Sequence, residues 1–172
     1  MEDTFNLLKE NISNLLAFAN ECQDEIMSKG RNLTADELAI AKMLNIKSHG
    51  KIRILVVEDI PRSLNPVLNE LCDKLGFINN EEGKQTRGIT FGNGIYTRKG
   101  ITKPFQNIVH ELVHVSQYEK LGGIKEYMAQ YILEIQEYFK VNKTFTGAKR
   151  NIPLELEAYD FVKSKILQKQ LN

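Results

Sequence analysis

The chain has 172 residues and carries 23 basic against 22 acidic side chains, a formal charge of +1. That balance argues against a nucleic-acid partner, which needs a basic face, and no stretch approaches the ~20 apolar residues of a membrane span. With 42% hydrophobic and 26% charged residues, the composition is that of one globular domain long enough to bury a core.

The N-terminus MEDTFNLLKENISNLLAFANECQ does not read as a secretory leader. Its start is acidic, and the apolar run LLAFA is short and bounded by Asn on both sides. A cytoplasmic protein is expected. Cys22 and Cys72 lie far apart without metal-ligand spacing, and are read as reduced thiols. Phe5, Leu8, Ile12, Leu15, Leu16, Ala19, Cys22 and Ile26 follow helical spacing over 4–28, and Gly30 is the stop. A second helix starts at LTADEL, where Thr34 as N-cap and Glu37 three residues on form a capping box.

The run KIRILVVED, 51–59, is the best strand: β-branched, apolar and bounded by Gly50 and Pro61. A helix is predicted over 64–75, ending at Gly76, and NNEEGKQTRG reads as polar loop. Its GK is not a phosphate loop, because the upstream glycine is missing and Gln85 replaces Ser/Thr. In GITFGNGIYTRKG, 88–100, two β-rich runs flank GNG, a hairpin signal. Pro104 opens a helix that Gly122 and Gly123 end. IKEYMAQYILEIQEYFKV is a long amphipathic helix, with its tyrosine hydroxyls expected near the surface. After the loop NKTFTGAKRN, Pro153 opens a last helix to about Gln168. The expectation is a single α+β domain over 1–172, with an N-terminal helical part, 1–50, and a core, 51–172.

The chemistry concentrates in NIVHELVHVSQYEKLGG, 107–123. Phe105, Ile108, Val109, Leu112, Val113 and Ser116 form one buried stripe at 3,4-spacing. His110 and His114 are one turn apart on a neighbouring face, so both imidazoles can share one ion. Glu111 beside them can reach a metal-bound water, completing the H-E-x-x-H pattern. A zinc site needs a third protein ligand. No histidine follows His114, and the only other one is His49. The run PLELEAYDFV, 153–162, offers Glu155 and Glu157. They are two residues apart, about 200° around a helix, so only one can face the metal.

This pairing resembles the gluzincin class of zinc metallopeptidases, in which H-E-x-x-H is completed by a downstream glutamate, often in an E-x-E-A or E-x-x-A-(D/N) run. On that pattern Glu155 matches the ligand, Glu157 is the alternative, and Ala158 matches the small residue packed near the motif helix. Such families often hold a motif histidine with Asp or Asn four residues after the ligand. Here Tyr159 stands at that position and Asp160 follows it, so these two are the candidates for that supporting role. The stretch over roughly 86–162 is also similar to small bacterial zincin-like domains of unknown function.

The resemblance implies a zincin-like α+β fold. A small mixed sheet with a hairpin would pack on the motif helix, and the glutamate-bearing helix would lie downstream. The strand NGIYTR, 93–98, would be an edge strand lining the cleft and pairing with an extended peptide. It implies one Zn²⁺ per chain held by His110, His114 and Glu155, with Glu111 as general base on a peptide or protein substrate. Tyr159, Tyr118, Tyr127 and His49 are candidates for stabilising the oxyanion. Lys143, Lys149 and Arg150 precede the ligand helix and could favour acidic groups. The alternative is a non-catalytic protein of the same fold, whose metal is structural or whose cleft binds a partner.

Overall fold

Why the chain folds as it does is clearest at the element ends. In the computed structural model, which describes residues 2–79 and 85–170, helix α1 (Glu2–Lys29) runs up to Gly30. Helix α2 (Ala35–Met43) has the full capping box: Thr34 Oγ1 accepts from the Glu37 N–H and Glu37 Oε2 accepts from the Thr34 N–H. A short 3₁₀ turn (His49–Lys51) leads into β1 (Arg53–Val57). Helix α3 (Pro66–Leu75) is capped by the Asn65 side chain and closed by Gly76 at φ 74, a left-handed conformation that glycine adopts without Cβ strain. Residues 80–84 of the expected polar loop lie outside the described residues.

Strands β2 (Gly88–Phe91) and β3 (Gly94–Arg98) form the expected hairpin across Gly92 and Asn93. β1 pairs in parallel with β3, Ile54 opposite Ile95, so the order is β1-β3-β2. This corrects one expectation. NGIYTR is the central strand, and the edge strand beside the motif helix is β2. The reason is burial on both faces: Ile95 faces one cluster and Tyr96 the other, and each is fully enclosed. An enclosed side chain of that size is worth roughly 1.5–3 kcal/mol relative to exposure.

Helix α1 covers the Tyr96 face, where Ile26 fills the space beside Gly94. Helices α2 and α4 (Pro104–Leu121) cover the Ile95 face through Ala41, Ile108, Leu112 and Val115. Helix α5 (Ile124–Asn142) follows, then α6 (Ala148–Asn151) and α7 (Pro153–Gln170). The segment expected as a plain loop over 142–151 therefore contains one helical turn. Tyr127 and Tyr131 are buried in the core, which corrects the expectation that their hydroxyls lie near the surface. Among the described residues the architecture is α+β, seven α-helices around a three-stranded mixed sheet. No helix among them is long and apolar enough to cross a membrane.

Candidate metal centre

Helix α4 is not half-buried but enclosed on nearly all sides: Ile108 and Val109 are buried, and so is every residue from Glu111 to Tyr118. Polar groups in such a helix must find partners inside the protein. Helix α7 supplies some of them. Its first turn is pinned at Leu154, whose N–H donates to Glu134 Oε2 of α5 at 2.9 Å and whose carbonyl accepts from Gln117 Nε2 of α4 at 2.9 Å. That clamp sets the rotation of α7, and the next residue, Glu155, points at the α4 histidines.

His110, His114 and Glu155 each present a ligand atom to one point, all within 4.8 Å of one another. The two Nε2 atoms are 3.1 Å apart, and Glu155 Oε2 stands 3.3 Å from His110 Nε2 and 3.8 Å from His114 Nε2. A triangle with those edges has its corners about 2.0 Å from its centre, the length of a zinc bond to nitrogen or oxygen. Glu155 Oε2 is also buried without a hydrogen-bond partner among the described residues. Three convergent lone-pair atoms, one of them orphaned, fit a divalent cation.

Gln117 decides the tautomer of His114. Its Nε2 donates to the Leu154 carbonyl and to Glu157 Oε2, at 2.9 and 2.8 Å. Both of those are acceptors only, so the amide oxygen must face His114 Nδ1, 2.8 Å away. His114 Nδ1 then carries the proton, and its Nε2 keeps a lone pair directed at the common point. The hydroxyl of Tyr127 lies 3.2 Å from the same Nδ1. For His110, burial disfavours the charged ring, but the carboxylates of Glu155 and Glu111 outweigh it and the pKa lies above the ordinary value. Burial likewise pushes Glu155 upward, and His110, His114 and Lys149 more than reverse this, so its carboxyl sits below the usual range.

Glu111 is buried on the sheet side of the site, and Thr90 of β2 donates to its Oε2 at 2.8 Å. Its Oε1 lies against Gly88, where an added Cβ would meet Oε1 at 2.8 Å and Asn107 Nδ2 at 2.5 Å. The missing side chain at Gly88 is therefore what lets β2 approach α4. No cation among the described residues forms an ion pair with Glu111, so it is a buried acid facing the same cavity as the ligand triangle.

The remaining candidates separate cleanly. Glu157 is exposed, holding Gln117 and pairing with Lys120 at 3.5 Å, and is not part of the triangle. Asp160 is exposed and bonds to neither histidine, which corrects its supporting role; Gln117 holds His114 in its place. Tyr159 lays its half-exposed ring against His110, centroids 4.7 Å apart. Burial, helped by Glu155, raises its phenol above the ordinary value, so its hydroxyl keeps its proton. Tyr118 spends its hydroxyl on the Thr90 carbonyl at 2.9 Å and stacks on Tyr127. His49 sits in the 3₁₀ turn and does not line the cavity. Sequence reasoning missed Gln117 and Thr90. Gln117 had a usable signal, since it stands three residues after His114; Thr90 had none.

The cavity holds about 580 Å³ of empty space, counting the part open to solvent. Its lining combines the triangle and Glu111 with apolar residues such as Phe77, Met128 and Tyr131. Residues from both faces of β2 reach it, Gly88 and Thr90 as well as Ile89 and Phe91, so it lies along the free edge of that strand. In comparison with known proteins, the chain matches no family model, no curated protein and no solved structure.

Proposed function

We propose that this protein is a zinc-dependent metallopeptidase of the gluzincin type, holding one Zn²⁺ through His110, His114 and Glu155. The observation that carries this reading is the ligand triangle, with the orphaned Glu155 Oε2 and a His114 tautomer locked for coordination. A Zn²⁺ held by these three residues would supply the Lewis acidity that such hydrolysis needs, lowering the pKa of water and polarising a carbonyl.

Glu111 is the general base. Thr90 holds Oε2, leaving Oε1 to take the water proton and return it to the leaving amine. Tyr159, whose ring lies against His110, is the residue we assign as donor to the developing oxyanion. The outer edge of β2 pairs with no strand among the described residues, and apart from the Thr90 carbonyl, which Tyr118 takes, it offers backbone groups to an extended peptide or protein substrate. The buried free thiols of Cys22 and Cys72 fit a reducing, cytoplasmic setting.

Glu111→Gln tests the reading. The variant should keep its zinc and its fold while hydrolysis of a peptide library falls by about 10²–10⁴. Hydrolysis at the wild-type rate would remove Glu111 from the mechanism. A zinc-loaded wild-type protein that cleaves no library peptide would leave the non-catalytic binding protein as the better reading.

A further inference from the structure

The metal site has a second feature that the hydrolytic reading does not use. Lys149, in the one-turn helix α6, is half-buried and lines the cavity that holds His110, Glu111, His114 and Glu155. Its stem runs over Gly76, where an added Cβ would stand 3.4 Å from Lys149 Cβ. The ammonium group has no carboxylate within ion-pair distance among the described residues. Its hydrogen bond, to the Phe77 carbonyl, is long at 3.5 Å. A half-buried ammonium normally finds an anion or a full set of acceptors. Lys149 is thus underused by its own protein, although its charge is felt at both Glu155 and His110.

Charge counting points the same way. Glu111 and Glu155 would balance a divalent ion, so Lys149 leaves the cavity one positive charge in excess. Arg150 beside it and Arg87 ahead of β2 add positive charge close enough to act on Tyr159. Phe77, Ile78, Met128 and Tyr131 give the same cavity an apolar lining.

We propose that Lys149 is the anion-recognising end of the substrate pocket, so that the site selects peptides presenting a carboxylate beside an apolar side chain close to the bond to be cut. This rests on the metallopeptidase reading. The carboxylate can come from a peptide C-terminus or from an acidic side chain, and both would be held by a charge-assisted hydrogen bond within a low-dielectric wall.

The test is binding to zinc-loaded protein, followed by calorimetry, with three peptidomimetic hydroxamates that share a leucine-like side chain. One ends in a carboxamide, one in a free carboxylate, and one carries a glutamate side chain ahead of a carboxamide. At least one carboxylate probe should bind about tenfold or more tightly than the neutral probe, and which one gains identifies the source. Lys149→Met, which keeps the stem, should remove the preference, read as the ratio of carboxylate to carboxamide probe affinity within the one variant; Lys149→Arg should restore it. Equal binding of all three to the wild type, binding of none, or a preference that survives Lys149→Met overturns the assignment. The wild-type comparison stands without any variant. A protein that retains no zinc at all fails earlier, before any probe is added, and that result overturns the metallopeptidase reading together with this one.

Discussion

Gln117 Oε1 stands 2.8 Å from His114 Nδ1, and its amide cannot be turned over. The opposite end donates to the Leu154 carbonyl and to Glu157, neither of which can donate in return. One side chain thereby fixes the proton on His114 and ties α4 to the first turn of α7. Partners of this kind are worth about 10–100-fold in metal affinity. Gln117→Met should therefore weaken zinc binding by about that factor, with a stability loss of about 0.5–1.5 kcal/mol from the lost α4–α7 hydrogen bond, since the Leu154 carbonyl keeps its place in the ladder of α7. Competition with a chromophoric chelator measures the first effect and denaturant titration the second. Unchanged zinc affinity would refute the tautomer argument.

Glu155 and Glu157 are two residues apart and do different work. Glu155 completes the triangle with the histidines, while Glu157 reaches it only through Gln117. Glu155→Ala should lose most of the zinc found by mass spectrometry. Glu157→Ala should retain about one ion per chain, because Gln117 keeps its bond to the Leu154 carbonyl. The reverse pattern would mean that α7 turns its other face to the site.

Away from the site, the Arg31–Glu37 pair makes stability depend on pH. Glu37 is buried, which favours its neutral form, but the two terminal guanidinium nitrogens of Arg31 and the Thr34 N–H hold the carboxyl below its usual value. An unfolded glutamate titrates near 4.3. The stabilisation is thus complete above about pH 4.3 and is lost as pH falls through the lower folded value. Arg31→Met should cost about 1–3 kcal/mol at neutral pH, and the gap from wild type should narrow below about pH 4. Urea titrations from pH 7 to pH 3 in excess chelator check this; a gap constant across that range would exclude the linkage.

The parts of this molecule that depend on neighbours in sequence were legible. Thr34 and Glu37 are three residues apart, and the capping box closes as expected. Gly76 and Gly122 end their helices in left-handed conformations. His110, Glu111 and His114 share one helical turn, so their facing followed from 3.6 residues per turn. The supporting residue does not follow so simply: the residue pattern on α7 offers Tyr159 or Asp160, yet Tyr159 meets His110 only through its ring, Asp160 is exposed, and Gln117 on α4 is the side chain bonded to His114.

The long helices, the hairpin and the spacing of the motif can thus be read from the residues alone, because each is set by local backbone geometry and by side chains within a turn of one another, whereas the single turn of α6 cannot. Only the tertiary structure decided that β3 lies inside the sheet and β2 at its edge, since parallel pairing of β1 joins segments about forty residues apart and is ruled by which strand buries both faces. It also decided that Glu155 and not Glu157 meets the histidines. The rotation of α7 is set by Glu134 and Gln117 gripping Leu154 from two other helices, a constraint no local pattern contains.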